Sequence, residues 1–358
     1  MARSLRGYCK ESIVRALKRL SAFAVSALLA VAACAPASAC EFQRGPIFKL
    51  LEEWTKTCNH PLCGRIHIAE SWRLKDHAKN CEAKGWMSMR EDVRATIVAG
   101  GAVLFGEQHD NPLHHELRSR AGFASYASAV FEQIPADKAA ALDEFLTSTK
   151  LSYTSDALEK LKAAIDWDKS GWKEYAYDPL LTAALKGQVP FYAGDADRDT
   201  IKKVAKEGPS ALSDEEKARL KLDVALGDKA DAAVLDQLYE SHCKQMPRET
   251  LGSMAFAQRY RDAVLADAVL KAIEKRGSTL LIAGNEHVRK DRGVPWYIRQ
   301  RAPEKKTLSI MMLEVEDGKT DPEAYVPRDE EGKPAVDYVI FTPPAPHTDH
   351  CAQMMKKN

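Results

Sequence analysis

Neither sign of charge prevails in this chain of 358 residues, where 52 Lys and Arg stand against 51 Asp and Glu. That balance leaves no overall field to steer nucleic acid or anionic lipid, which argues against both as principal partners. The apolar run Ala22–Ala33 falls short of the roughly 20 residues a membrane helix needs. C-x-x-C-H is missing, so covalent c-type haem is not indicated, and there is no tight C-x-x-C pair of the kind that usually marks structural zinc. Internal repeats and low-complexity linkers are also lacking, which points to one elaborated domain. The composition, 45% hydrophobic and 29% charged, supports a sizeable core.

The first 39 residues read as a secretory signal: Arg3, Arg6, Lys10, Arg15, Lys18 and Arg19 precede the apolar core, and APASA ends on small residues. Two cleavage sites compete. Cutting after Ala39 releases a soluble exported protein into the periplasm, whereas cutting before Cys34 in VAAC would leave a lipidated cysteine tethered to a membrane surface. Without Cys9 and Cys34, six cysteines remain, Cys40, Cys58, Cys63, Cys81, Cys243 and Cys351, enough for three bridges in an oxidising compartment. Cys58, His60, Cys63, His67, His77 and Cys81 also contain enough ligands for a zinc site, against which disulfides are the default outside the cytosol.

Residues 41–90 read as a cysteine-stapled N-terminal extension with a helix over Ile47–Lys56. From there the pattern alternates. A helix over Glu91–Ala99 leads to a strand at Ala102–Phe105 and a helix at Pro112–Ala124, opened by proline in its first turn. Ala127–Phe131 is the second strand, Pro179–Lys186 a helix and Val189–Ala193 a third strand. Ser213–Arg276 is helical, with SDEE as its capped start. Thr279–Ala283, Thr307–Leu313 and Tyr338–Phe341 complete the strands. Strands separated by helices imply βαβ units and a largely parallel sheet, in one α/β domain over residues 91–345. Residues 346–358 form a tail whose Cys351 has Cys243 as a candidate partner.

Several strands end in charge, and in a parallel sheet ligand sites lie outside the carboxyl ends of the strands. Glu107-Gln-His109, Glu132-Gln133, Asp195–Arg198 and Asn285-Glu286-His287 would therefore gather at one rim, two of them through the matching loops GEQH and GNEH. Glu107, His109, Glu132 and His287 with Arg261 would make an acid/base site, the guanidinium stabilising negative charge. Glu107, His109 and His287 could instead hold a divalent metal. The plainer alternatives are solvated loop histidines and, for Arg261 and Asp262, an ion pair bracing the sheet. His114 and His115, in the first turn of the next helix, are expected to place one ring at the rim and the other in solvent. In the tail, His347, Asp349 and His350 form a second metal-like patch.

LFGEQHDNPLHHE, AVFEQ, the Tyr-Asp-Pro-Leu-Leu-Thr-Ala-Ala stretch at 177–184, FYAGDADR, AQRYRDAVLADAVL and LLIAGNEHVRKDRGVP together resemble the ChaN family of haem-binding uptake lipoproteins. That family is part of a wider group with erythromycin esterases and the Tiki and TraB proteins. The likeness runs from about Asp92 to Leu313.

The resemblance implies a three-layer α/β/α domain with haem or a related iron tetrapyrrole as cofactor, bound in a pocket shared between two subunits, and a role in iron uptake. It further implies a tyrosine on iron, with a histidine and a lysine on the propionates. Tyrosinate is a sensible ferric ligand, and the candidates are Tyr260 and Tyr297, with His109, His114, His115 and His287 as further cofactor contacts. The alternative is a periplasmic, metal-assisted hydrolase using the Glu/His rim directly, as the likeness to erythromycin esterases suggests. A third reading makes the cysteine-rich extension a docking module for another protein.

Overall fold

The computed structural model describes residues 45–76, 83–150, 152–347 and Cys351. The signal segment, the alternative lipidation site at Cys34, Cys40, His77, Cys81, Asp349 and His350 lie outside them.

The strands are β1 (Ile66–Ile68), β2 (Ala102–Glu107), β3 (Ala129–Pro135), β4 (Phe191–Asp195), β5 (Thr279–Gly284), β6 (Thr307–Glu314) and β7 (Tyr338–Thr342). The helices begin with α1 (Pro46–Thr57), α2 (Lys84–Val98), α3 (Pro112–Ser119), α4 (Ala139–Ser148), α5 (Ala157–Ala164) and α6 (Asp178–Gly187). They continue with α7 (Arg198–Glu207), α8 (Asp214–Leu220), α9 (Asp228–Ser241), α10 (Gly252–Arg276) and α11 (Val294–Arg301).

Seven strands form one sheet in the order β1-β7-β6-β2-β5-β3-β4, parallel throughout except for β1, which runs antiparallel to β7. Alternation along each strand divides the core in two. On one face Val103, Phe105, Phe131, Leu280 and Ile282 pack against helices α1 to α6. On the other, Leu104, Val130, Leu281 and Ala283 meet α10, with Leu265, Ala266 and Val269, and α11. This is the expected three-layer α/β/α fold, and all six residues of the central β2 are buried, as strands covered on both faces require.

Every expected strand is present, most of them one or two residues longer at the carboxyl end because the polar residues after each apolar run still hold the ladder. The helix expected to reach Ala124 stops at Ser119, and Gly122, at φ 72°, turns the chain toward β3. A larger difference concerns the span read as an extension. Ile66–Ile68 is an edge strand of the main sheet, and the helix expected to begin at Glu91 begins at Lys84. Glu70, Arg73 and Lys75 then reach into a charge cluster with Asp92, Lys290 and Asp337. What local sequence suggested was a stapled appendage is, over these residues, sewn into the sheet.

Cys58 bonds to Cys63, which takes two of the three sulfurs from which the zinc reading drew its ligands. Cys243 bonds to Cys351, as expected for the tail. Among the described residues no helix is long and apolar enough to cross a membrane.

Candidate functional site

Two glycines allow the rim to form. At Gly106, near the end of β2, a side-chain carbon would lie 2.6 Å from Asn285 Oδ1 and 2.7 Å from Val288, so the bare backbone lets the GNEH loop cross over it. At Gly284, the end of β5, the same carbon would lie 2.7 Å from His109 Nε2, so that glycine makes room for the GEQH loop in return. The resemblance between the two loops has a steric basis: each yields space to the other.

Glu107, fully buried, is saturated. Its Oε1 accepts from Tyr177 Oη at 2.5 Å, His109 Nδ1 at 2.9 Å and Gln133 Nε2 at 3.2 Å. Its Oε2 is ion-paired with Arg118 and lies 3.1 Å from His115 Nε2. Arg118 is itself fully buried, and burial lowers its pKa to about 10, which leaves it charged at neutral pH. A carboxylate with this many donors is an anchor rather than a proton shuttle.

Glu132 is the second anchor. The pairing of β3 with β5 stops at Phe131, and the register of β3 with β4 shifts between Phe131 and Pro135. Glu132 sits at that break, where its Oε2 takes the Gly284 N–H at 2.7 Å. Its Oε1 accepts from Arg261 at 2.7 Å and lies 3.3 Å from His287 Nε2. Arg261 also grips Asp195, with contacts from 2.6 to 3.1 Å. The other nitrogen of His287 donates to Asp262 at 2.7 Å. Burial alone would lower the His287 pKa, but Glu132 and Asp262 overcome it and raise the value to about 10. Burial would raise the Glu132 carboxyl, yet the charged His287 and Arg261 hold it well below the usual carboxylate range. This half of the site is a chain of fixed charges, Asp262–His287–Glu132–Arg261–Asp195.

His109 joins the halves. Its Nδ1 donates to Glu107, and its Nε2 stands 3.9 Å from Glu132 without a hydrogen bond. Its side chain keeps open surface, 31% exposed against 22% for Arg261 and 4% for His287. Burial, opposed by Glu132 and helped by the charges of His287 and Arg261, lowers its pKa, so the ring is neutral at physiological pH. Its edge meets Trp172 with ring centres 4.7 Å apart, and Trp172 in turn neighbours Tyr175.

Glu107, His109, Glu132, Arg261 and His287 thus converge as expected, but mostly buried rather than solvent-facing. His114 and His115 depart from expectation, because α3 is clamped between β2 and α6 and both rings are fully buried. His114 bridges the Gln108 N–H and Thr342, while His115 bonds to the Ala176 carbonyl and stacks on Tyr177. Burial drives their pKa values down to about 3 and about 4. Tyr297 is also misplaced as an iron ligand: it is fully buried and its hydroxyl accepts from Arg259. Tyr260 packs in the core of the α10 face, where burial raises its phenol to about 12, opposite to what a phenolate ligand needs.

The divalent-metal reading of Glu107, His109 and His287 meets a similar obstacle, since Glu107 and both nitrogens of His287 are engaged within the protein. Among the described residues no group of three or more ligating side chains is arranged to hold a metal. Arg261 and Asp262 are not paired with one another, each having its own partner across the rim. In the tail, His347 lies between Asp110 and Glu314 at 2.7 and 2.6 Å.

Two residues that the sequence reading omits, Tyr177 and Arg118, complete the Glu107 anchor. Tyr177 does open one of the stretches that carry the family resemblance, which is the signal that could have found it. Arg118 lies one helical turn beyond His114, on the face that α3 buries.

Comparison with known proteins agrees with this architecture. None of the curated proteins matches the sequence. A solved structure of ChaN of Campylobacter jejuni, described as showing cofacial haem binding, is 21% identical, covers 70% of this chain and 90% of its own, and superposes with a TM-score of 0.51. That likeness is one of fold. An erythromycin esterase mutant in its open conformation (12% identity, 82% and 86% coverage) and a Bacillus cereus protein (12%, 75% and 75%) give TM-scores of only 0.35 and 0.32. Residues 94–298, more than half the chain and all of the rim just described, match the family model for haem-binding uptake proteins of the ChaN type in the Tiki superfamily, and the chain belongs to that family.

Proposed function

We propose that this protein binds haem or a related iron tetrapyrrole, as an exported protein that serves iron or haem uptake. Family membership supports the ligand class, and the observation that carries the reading to particular residues is the state of His109. Its Nδ1–H is held by an ionised carboxylate, its ring is neutral, and it is half-open beside the edge of Trp172. A carboxylate that fixes the tautomer of a histidine is the usual support for an imidazole that contacts a metal or an acidic group. Trp172 and Tyr175 offer apolar rings to a flat macrocycle. When bound, haem would supply redox-active iron; the chain's own contribution is to orient His109 and keep it unprotonated.

Two cavities in the molecule measure about 280 and 300 Å³, the lower end for ligand pockets. The proposed site lies against the open side of His109 and Trp172 and is shared between two copies of the chain. The test is a haem titration followed through the Soret region. Saturable binding that weakens about tenfold or more in His109→Ala (~1.4 kcal/mol), while Tyr260→Phe and Tyr297→Phe behave as wild type, is the expected result. Non-saturating binding by the wild type would overturn the reading.

A second reading is favoured by the same dyad. A neutral imidazole backed by Glu107 and flanked by the Arg261 cation is also the arrangement of a general base in ester hydrolysis. Because Glu107 and Glu132 are saturated, only His109 could take the proton. Hydrolysis of p-nitrophenyl esters that disappears in His109→Gln would support it, and absence of turnover in the wild type would remove it.

A further inference from the structure

Gln133 is among the buried side chains beside the rim that keep a polar atom without a hydrogen-bond partner. Gln133 donates through Nε2 to Glu107 and Tyr177, and because ionised Glu107 can only accept, the amide cannot be flipped. Its Oε1 is thereby turned away from the anchor, and it is buried with no hydrogen bond. Such a group costs about 1–3 kcal/mol unless something satisfies it. Gln133 lines the cavity of about 280 Å³ that lies outside the carboxyl ends of β3 and β4.

The rest of that lining says what would fit. Ser170 Oγ accepts from the Trp172 N–H, which leaves its own O–H free to donate. Ile165 and Trp167 provide apolar wall, and both are buried. At the mouth the charges balance: Lys138 pairs with Asp137 and Asp166, Lys169 with Asp166 and Lys202 with Asp199, while Arg198, which donates to the Lys169 carbonyl, is matched in the lining by Asp197. No net field selects an anion or a cation. An unpaired acceptor, a spare donor, apolar walls and a balanced mouth match hydroxyl groups carried on a compact carbon skeleton.

We propose that this cavity binds a small neutral polyol of about the size of a monosaccharide, with Gln133 Oε1 accepting from one of its hydroxyls and Ser170 donating to another. The pocket goes beyond the haem reading and does not depend on it. Through Gln133 it shares a residue with the Glu107 anchor, so its occupancy would be felt at His109.

The test uses the full mature chain and nitrogen-15 NMR of the Trp167 indole, titrated with D-glucose, myo-inositol and glycerol, and with glucuronate and glucosamine as charged comparators. The expected result is a saturable shift with at least one neutral polyol, weakened tenfold or more in Gln133→Leu. Because that variant also removes a donor from Glu107, Lys202→Trp is the second probe. It narrows the mouth from an exposed helix face and should weaken the polyol while leaving the haem titration as in wild type. No saturable shift with any neutral polyol, stronger binding of the charged sugars, or wild-type binding by both variants would overturn the proposal, leaving Gln133 with water alone.

Discussion

Two of the buried charge clusters among the described residues are built from nearly the same ingredients, and they do different things. In the first, Asp337 receives Lys290 at 2.9 Å, Arg73 at 3.0 Å and the Ser309 N–H at 2.7 Å, while Asp92 receives Lys75, Arg73 and Tyr338. In the second, Glu107 and Glu132 are crowded by arginine and histidine. Every cation touching Asp337 and Asp92 is a lysine or arginine, so nothing in that cluster changes charge near neutral pH, and its effect is to fasten residues 70–75 to the core. The rim adds histidines that share carboxylates, and one of them, His109, keeps open surface. Buried ion pairs are weak evidence of function by themselves; a shared, half-open imidazole is what separates the site from the staple.

Breaking the staple should have the largest effect. Asp337→Ala leaves Arg73 and Lys290 without their buried partner and should cost about 3–5 kcal/mol, read as a drop in the denaturant midpoint. Haem binding by the fraction still folded should be preserved. A loss under about 1 kcal/mol would mean that the cluster is not a staple.

Histidines should make the rim pH-sensitive in a way the staple is not. His287 has its folded pKa raised to about 10 from about 6.5, so its contribution is complete below pH 6.5 and lost as pH rises toward 10. His114 and His115 are depressed to about 3 and about 4, so their contribution is present above pH 6.5 and lost as pH falls through that range. Thermal melts should therefore show a stability maximum near pH 6.5 that falls on both sides, by on the order of 2 kcal/mol on the alkaline limb. His287→Gln should flatten the alkaline limb and leave the acid limb standing; an unchanged alkaline limb would refute the assignment.

The smallest effect on stability and the sharpest on geometry should come from Gly284→Ala. The added carbon meets only the far end of the His109 ring, 2.7 Å from Nε2, so the ring can swing outward at a cost under about 1 kcal/mol. His109 would then titrate closer to an ordinary histidine, which NMR can follow, and haem affinity should fall in step. Gly106→Ala should be worse tolerated, because its carbon would also lie 3.1 Å from the Asn285 backbone.

Much of this was legible beforehand, for identifiable reasons. Strands such as Val103–Phe105 and Leu280–Ala283 are apolar runs that end in glycine and acid, a local signal that tertiary contacts do not alter. The gathering of Glu107, Glu132 and His287 followed from the rule for parallel sheets. What stayed hidden depended on which helix face another element covers. His114 and His115 look like polar residues opening a helix, yet α6 buries them. Tyr177 reaches Glu107 across 70 residues of sequence, and the short run Ile66–Ile68 carries no mark that β7 will pair with it.

The bridge from Cys243 to Cys351 closes a covalent ring across a separation of 108 residues, enclosing α10, β5, α11, β6 and β7. A protease that cut once at a surface loop inside that ring would not release a fragment. The nicked molecule would migrate as one piece on a non-reducing gel and fall into two only when thiol is added, so intactness judged without reductant would overstate the integrity of this half of the chain.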